Sequence, residues 1–253
     1  MNLIIVEEQE IVDNAVCLTD YRAKHISKVL RCTVGDTVKI GVLHGKIGVG
    51  RITAMHRKFP FQVEISATFA TCPPVKVPMD LILALPRPIM MRRIFSQITS
   101  LGIGTIHIIN AARVEKSFWE AGIVKQEEYM EHLIHGLEQS VDTTPPAVTF
   151  HRKFRPFVED FLPSIANTYN ALLLAHPSGQ KMLSEHIKAE SKKVLVAIGP
   201  EGGWVDFEVE KFMEQGFSAF NLGSRILKVE TAVINIHGRV MSELERFSNQ
   251  CST

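Results

Sequence analysis

The chain has 253 residues, 45% of them hydrophobic and 22% charged, and a formal net charge of +1 at pH 7. That make-up fits an ordinary soluble globular protein of one large or two modest domains with a sizeable core. It excludes a bulk basic field as the means of holding nucleic acid, so an RNA partner has to meet a local patch. Cys17, Cys32, Cys72 and Cys251 are scattered and form no C-x-x-C pair, which reads as reduced thiols of a cytosolic protein, not a disulfide framework or a zinc site. The start, Met1-Asn2-Leu3-Ile4-Ile5-Val6, turns acidic at Glu7 and Glu8 with no basic segment, so no signal peptide is expected. No apolar run is long enough to span a bilayer.

In chain order, residues 1 to about 70 alternate apolar and polar positions in short runs. Val38–Val42, Gly48–Ile52 and Phe61–Ile65 read as strands, the first two parted by the turn-prone His44-Gly45. From Tyr21 to Arg31, Ala23, Ile26, Val29 and Leu30 recur at helical spacing, with Arg22, Lys24, Lys28 and Arg31 on the remaining positions. The expectation is a small β-rich, barrel-like domain, 1–72, carrying one basic helix. Pro73, Pro74 and Pro78 then mark a linker, since proline suits neither a helix interior nor a central strand.

A second domain, 73–253, follows with a different rhythm. Leu81–Leu85 is a continuous apolar run, as expected of a strand covered on both faces. Then come a helix over about Met90–Ser100, a strand at Ile106–Ile109, a helix over Gln126–Ser140 and strands at Ala171–Ala175 and Val194–Ile198. A helix over Asp206–Gln215, a strand at Ser218–Leu222 and a last helix from about Glu230 to Phe247 complete the series. Strands alternating with helices predict an α/β fold with a largely parallel sheet.

Two irregular glycine-centred loops follow strands in this domain. One is Gly199-Pro200-Glu201-Gly202-Gly203-Trp204, the other Gly223-Ser224-Arg225-Ile226-Leu227-Lys228 before Glu230-Thr231-Ala232. Loops at the carboxyl ends of strands are where open α/β sheets bind ligands, and adjacent glycines let backbone approach a ligand closely. Taken alone, the first loop is equally well a strand-to-helix turn with Asp206 as helix cap. Neither loop is a G-x-G-x-x-G or P-loop motif, which disfavours dinucleotides and triphosphates. Ile226 and Leu227 between the charges Arg225 and Lys228 predict a packed, shaped loop. Arg87, Arg92 and Arg93 cluster near a strand end, as surface charges or as contacts. Trp119 and Trp204 are able to stack on a base, although large aromatics more often pack in a core. No metal site is expected, since the histidines show no ligand spacing.

The pair I-G-P-E-G-G and L-G-S-R-I-L-K-V-E-T-A resembles the C-terminal motifs of the RsmE family, ribosomal small-subunit RNA methyltransferases of the SPOUT superfamily. The likeness runs along the chain: His25–Arg31 with Gly35-Asp36, Leu101-Gly102-Ile103, Glu138-Gln139-Ser140 and His176-Pro177 each match a family segment in order. The resemblance implies a PUA-like N-terminal domain and a methyltransferase domain with a deep trefoil knot, acting as a cytoplasmic homodimer. It implies S-adenosylmethionine as methyl donor and N3 of one uridine in 16S ribosomal RNA as acceptor. The alternatives are a SPOUT methyltransferase for another RNA, or a non-catalytic RNA-binding or assembly factor that keeps the fold.

Carried onto this sequence, the resemblance gives a donor site of Leu174, Ala175, His176, Ile198, Gly199, Glu201, Gly202, Gly203, Leu222, Gly223, Ile226, Leu227 and Thr231. Arg225 and Lys228 are the candidates for stabilising negative charge that develops on the uridine. Glu201 is either an orienting group or base, or a carboxylate that accepts loop N–H bonds. Arg22, Lys24, Lys28, Arg31 and Arg51, with Arg57 and Lys58, form the expected phosphate-contacting face of the first domain, and Arg92 is the candidate from the second. Three positions depart from the family pattern: Ser100 replaces a glutamate, Asp142 an arginine and Lys228 an arginine. These are read as changes on the RNA-facing side, with the donor site kept.

Overall fold

The computed structural model describes residues 1–250, with side chains through Ser248; Cys251 lies outside the described residues. The chain divides into two compact units, one of Met1–Val75 with Ile134–Pro145, the other of Lys76–Leu133 with the chain from Pro146 onward. Residues 134–145 belong to the first unit through contacts that no local pattern encodes: the Asn2 and Leu3 N–H groups donate to Glu138 O at 2.8 and 3.0 Å.

The first unit holds β1 (Ile4–Val6), β2 (Ile11–Val12), β3 (Ala15–Leu18), α1 (Tyr21–Lys28), β4 (Thr37–Val42), β5 (Ile47–His56) and β6 (Gln62–Thr71). They form one six-stranded sheet in the order β1-β4-β5-β6-β3-β2, antiparallel except where β1 meets β4. The period-2 pattern explains the core: along β6, Val63, Ile65 and Ala67 point inward while Gln62, Glu64 and Ser66 stay exposed. Ile4, Val16, Leu18, Ile40 and Ile52 complete that core, with Ala23 and Ile26 of α1 packed on it.

Helix α1 is shorter than its hydrophobic spacing predicts. Asp20 caps it by accepting the Arg22 N–H at 2.9 Å. It stops at Lys28, and Arg31 takes a left-handed φ of 57°. Val29 and Leu30, expected on the buried face, are therefore 64% and 43% exposed.

The second unit contains β7 (Met79–Ala84), α2 (Pro88–Ser100), β8 (Thr105–Ile109), the start of α3 (Gln126–Ser140), β9 (Ala147–His151), α4 (Leu162–Ala166), β10 (Ala171–Ala175), β11 (Lys181–Met182), β12 (Val194–Ile198), α5 (Asp206–Glu214), β13 (Ser218–Asn221) and α6 (Val229–Gln250). Its sheet is entirely parallel, ordered β11-β13-β10-β12-β7-β8-β9. Every residue of β7 and of β12 is buried, as a centrally placed strand covered on both faces requires.

The last strand enters the sheet between β10 and β11, so the connection 176–180 crosses over it. The His176 N–H donates to Phe220 O at 3.0 Å, and a Cβ added to Gly179 would lie 2.5 Å from the Phe220 backbone. A connection laid across a later strand is compatible with the trefoil knot that the resemblance implies. Below the sheet's other end, buried Asp80 joins neighbouring strands by accepting from Thr105 N (2.7 Å) and Tyr169 OH (2.8 Å) and pairing with Lys193 Nζ (2.8 Å).

Candidate active site

All strands of the second unit present their carboxyl ends on one edge of the sheet. There β13, β10 and β12 are consecutive neighbours, so the loops 176–180, 199–205 and 222–228 converge.

The segments that follow β7 and β8, with Glu208 of α5, hold the 199–205 loop. Gly203 takes φ 74° and its N–H bonds to Pro200 O at 2.8 Å, closing a tight turn. The Arg113 guanidinium, from the segment after β8, donates to Gly202 O. Glu201 Oε1 accepts the Arg87 N–H, just after β7, at 3.0 Å. Glu208, only 2% exposed, accepts from Val205 N at 3.0 Å and from Ala112 N at 2.7 Å. Glu208 thus does the capping expected of Asp206, which sits inside the first turn of α5.

The 222–228 loop is anchored at its start and open beyond. Asn221 donates to Gly179 O and accepts the Gly223 N–H at 3.1 Å, tying this loop to 176–180. Gly223 adopts φ 107°, and a Cβ there would meet nothing within 4 Å. Leu227 packs against the core as predicted, but Ile226 does not: it is 92% exposed. Arg225 and Lys228 are exposed and, among the described residues, neither has a carboxylate partner. His176 Nδ1 lies 2.6 Å from Ser178 Oγ, and burial lowers its basicity although Asp206 opposes the shift.

These residues fit a small ligand with acceptor atoms. Trp204, 4% exposed, lies 3.1 Å from where a Cβ on Gly199 would sit, and its buried Nε1 donor has no partner. Both tryptophans belong to the core, not to a stacking surface. Trp204 packs edge-on against Phe212 at 5.2 Å, and Trp119 bonds Asn110 Oδ1 at 3.0 Å. Among the described residues, no three His, Cys, Asp or Glu side chains group as metal ligands.

The expected RNA-facing cations separate into two kinds. Lys24, Lys28, Arg31 and Arg51 are exposed in the first unit. Arg22 is a correction: its guanidinium is held by Glu10 at 2.5 Å, Asp20 at 2.7 Å and Ile5 O at 2.7 Å, leaving the side chain 12% exposed. Arg92 is likewise taken by Glu128, at 2.6 Å. Of the departures, Asp142 is not on a nucleic-acid surface, being 4% exposed and accepting from Thr143 N (2.6 Å) and Thr144 N (3.0 Å). Ser100 ends α2 and donates to Gln97 O at 2.8 Å. Arg113 and Glu208 escaped the sequence reading, although a cation directly after a strand in an alternating α/β pattern is a usable signal.

A parallel sheet with clamped glycine loops at its carboxyl edge, preceded in the chain by a β-rich unit, matches the class that the family comparisons define, an RNA methyltransferase. The RNA methyltransferase domain family matches residues 73–241, and the RNA methyltransferase PUA domain family matches residues 18–64. The fold is the SPOUT type: the chain superposes with TM-score 0.71 and 23% identity on Ribosomal RNA small subunit methyltransferase E from Neisseria gonorrhoeae, solved bound to S-adenosyl methionine, covering 100% of this chain and 97% of that one. A Legionella pneumophila methyltransferase solved with bound SAM gives TM-score 0.73 at 21% identity, over 95% and 97% of the two chains.

The particular family follows from sequence. Ribosomal RNA small subunit methyltransferase E of Treponema pallidum is 30% identical over 92% of this chain and 87% of its own length. Ribosomal RNA small subunit methyltransferase E 1 of Borreliella burgdorferi is 26% identical over 92% and 94%. The chain belongs to the ribosomal RNA small subunit methyltransferase E family.

Proposed function

We propose that this protein transfers the methyl group of S-adenosylmethionine to N3 of one uridine in 16S ribosomal RNA. The observation that carries the reading is the pair of anchored glycine loops after β12 and β13, on either side of β10, with Arg225 and Lys228, in no ion pair among the described residues, on the second. The bound donor supplies an electrophilic methyl on a sulfonium. Backbone groups of residues 174–176, 198–203 and 222–227 are suited to hold it, with Thr231 at the start of α6. The unpartnered Trp204 N–H and exposed Ile226 supply a polar and an apolar contact.

N3 of uridine carries a proton at neutral pH; as that proton passes to solvent, negative charge spreads to the flanking carbonyl oxygens, and N3 then takes the methyl as the donor leaves as the neutral thioether S-adenosylhomocysteine. Arg225 and Lys228 stabilise that charge. Glu201 serves as a positioning residue, because its carboxylate is engaged with the Arg87 N–H. Lys24, Lys28, Arg31 and Arg51 bind RNA phosphates and fix register without reading sequence. The active form is a homodimer in the cytoplasm; no described helix is long and apolar enough to cross a membrane.

The test is to map methylation on small-subunit RNA from a strain lacking the gene. Loss of one N3-methyluridine, restored by the purified protein with S-adenosylmethionine, is the expected result. An unchanged methylation map together with no calorimetric binding of the donor refutes the assignment.

A further inference from the structure

At the far end of the same carboxyl edge lies a group of cations, of which Arg113 alone also clamps a glycine loop, through Gly202 O. Strand register fixes their place: Ile198 pairs with Leu83, Ala84 with Ile109, and Ile109 with His151. The residues that follow these strands therefore share one rim. Going outward from the 199–205 loop, the rim carries Arg113 after β8, then Arg152, Lys153 and Arg155 after the edge strand β9. From β10 to β9 is four strand spacings, about 19 Å at roughly 4.8 Å each.

All four side chains belong to exposed residues, and among the described residues none is in an ion pair. Arg22, Arg92, Lys193, Lys211 and Arg246 all are. Glu159, a nearby carboxylate, faces Lys211 at 3.7 Å instead. Three of the four are also held on fixed platforms. The Arg152 guanidinium lies 5.2 Å over the Trp119 ring and gives one N–H to Trp119 O at 3.2 Å. Arg155 lies 4.8 Å over Phe207, itself 37% exposed. The stem of Arg113 runs against Gly202, so close that a Cβ there would sit 3.0 Å from Arg113 Cδ.

Stacking leaves most guanidinium N–H donors unused and costs little mobility on binding, which favours planar two-point recognition of phosphate oxygens. With a net charge of only +1, a polyanion has to be held by such local rows. We propose that Arg113, Arg152, Lys153 and Arg155 form a phosphate track for an RNA strand leading away from the donor loops along the β8–β9 edge. The proposal rests on the reading of the protein as an RNA methyltransferase. Such contacts set affinity and register, not base choice.

The test uses the full chain with Arg152→Gln, Lys153→Gln and Arg155→Gln combined, and a 16S ribosomal RNA transcript as probe in fluorescence anisotropy over a salt series. The expected result is at least a tenfold loss of RNA affinity at low salt. The slope of log affinity against log salt should flatten by about 2, given roughly 0.7 per single-strand phosphate contact. Calorimetric binding of S-adenosylmethionine should match wild type, which also reports folding; if the triple variant fails that control, Lys153→Gln with Arg155→Gln takes its place. Equal affinity and slope in a folded variant, with wild type binding RNA, overturns the track and leaves the methyltransferase reading intact. Wild type that neither binds nor methylates the transcript or the small subunit overturns both.

Discussion

Glu201 and Arg87, 114 residues apart in sequence, meet through a 3.0 Å hydrogen bond from the Arg87 N–H to a Glu201 carboxylate oxygen. Arg87 is the N-cap residue of α2 and lacks a side-chain cap of its own. A carboxylate at a helix N-terminus also meets the favourable end of the helix dipole. One contact thus stabilises a helix start and fixes the height of the 199–205 loop.

Glu201→Ala is therefore expected to cost about 1 kcal/mol of stability, the usual scale of a lost cap, and to weaken donor binding severalfold. Glu201→Gln keeps an acceptor oxygen and should lose less in both. Thermal unfolding and calorimetry of S-adenosylmethionine measure the two effects. A changed pH–rate profile in Glu201→Gln would instead mark Glu201 as a base and end its assignment as a tether.

Gly223 sits at φ 107° with open space where a Cβ would go. The cost of Gly223→Ala is then backbone strain and not a clash, on the order of 1 to 3 kcal/mol. The loop can relieve that strain by moving, since beyond Asn221 little holds it. Donor affinity should accordingly fall more than global stability does. An unfolding midpoint that drops while donor affinity stays at the wild-type value contradicts this.

Lys228 is exposed and, among the described residues, in no ion pair with a carboxylate, on the loop that also carries Arg225. If it stabilises charge on the uridine, Lys228→Ala should lower kcat by roughly tenfold to a hundredfold with little change in donor affinity. Lys228→Arg, which keeps the cation, should recover most of the rate. Steady-state kinetics on small-subunit RNA separate the two parameters, and an unchanged kcat in Lys228→Ala removes this residue from the mechanism.

Much of this site was legible because its signals are local. The 199–205 and 222–228 loops declare themselves by glycines at the ends of apolar runs, and β12 and β10 by those runs. What the sequence hid is non-local. Arg22 reads as a free cation until folding brings Glu10 beside it. Asp142 reads as a lost arginine on a surface until its burial and the Thr143 and Thr144 N–H groups give it a structural task. Strand β9 carries no alternating pattern, its residues running from exposed to half-buried. With the strand unseen, Arg152, Lys153 and Arg155 had no place on the rim. The 134–145 return to the first unit has no local marker.

His107 supplies the pH dependence of stability. It is a β8 residue, 4% exposed and paired with Thr149 of β9, with Nδ1 2.7 Å from Thr149 Oγ1, which also lies 3.1 Å from His151 Nε2. Burial pushes its pKa down to about 4; His151 and Lys193 push the same way and Asp80 opposes them. The unfolded chain binds this proton below about pH 6.5, while the folded chain resists it until about 4. The folded state is therefore penalised progressively as pH falls from 6.5, up to about 3 kcal/mol once pH 4 is passed. Other histidines with lowered basicity, including His151 and His237, add to the trend. Urea midpoints at pH 7.5, 6 and 5 should fall in sequence for the wild type. His107→Phe, which keeps a ring against Phe157 and Phe161 but loses the Thr149 bond, should be less stable at pH 7.5 yet decline less steeply. Equal declines for the two proteins would show that His107 is not the group that resists protonation.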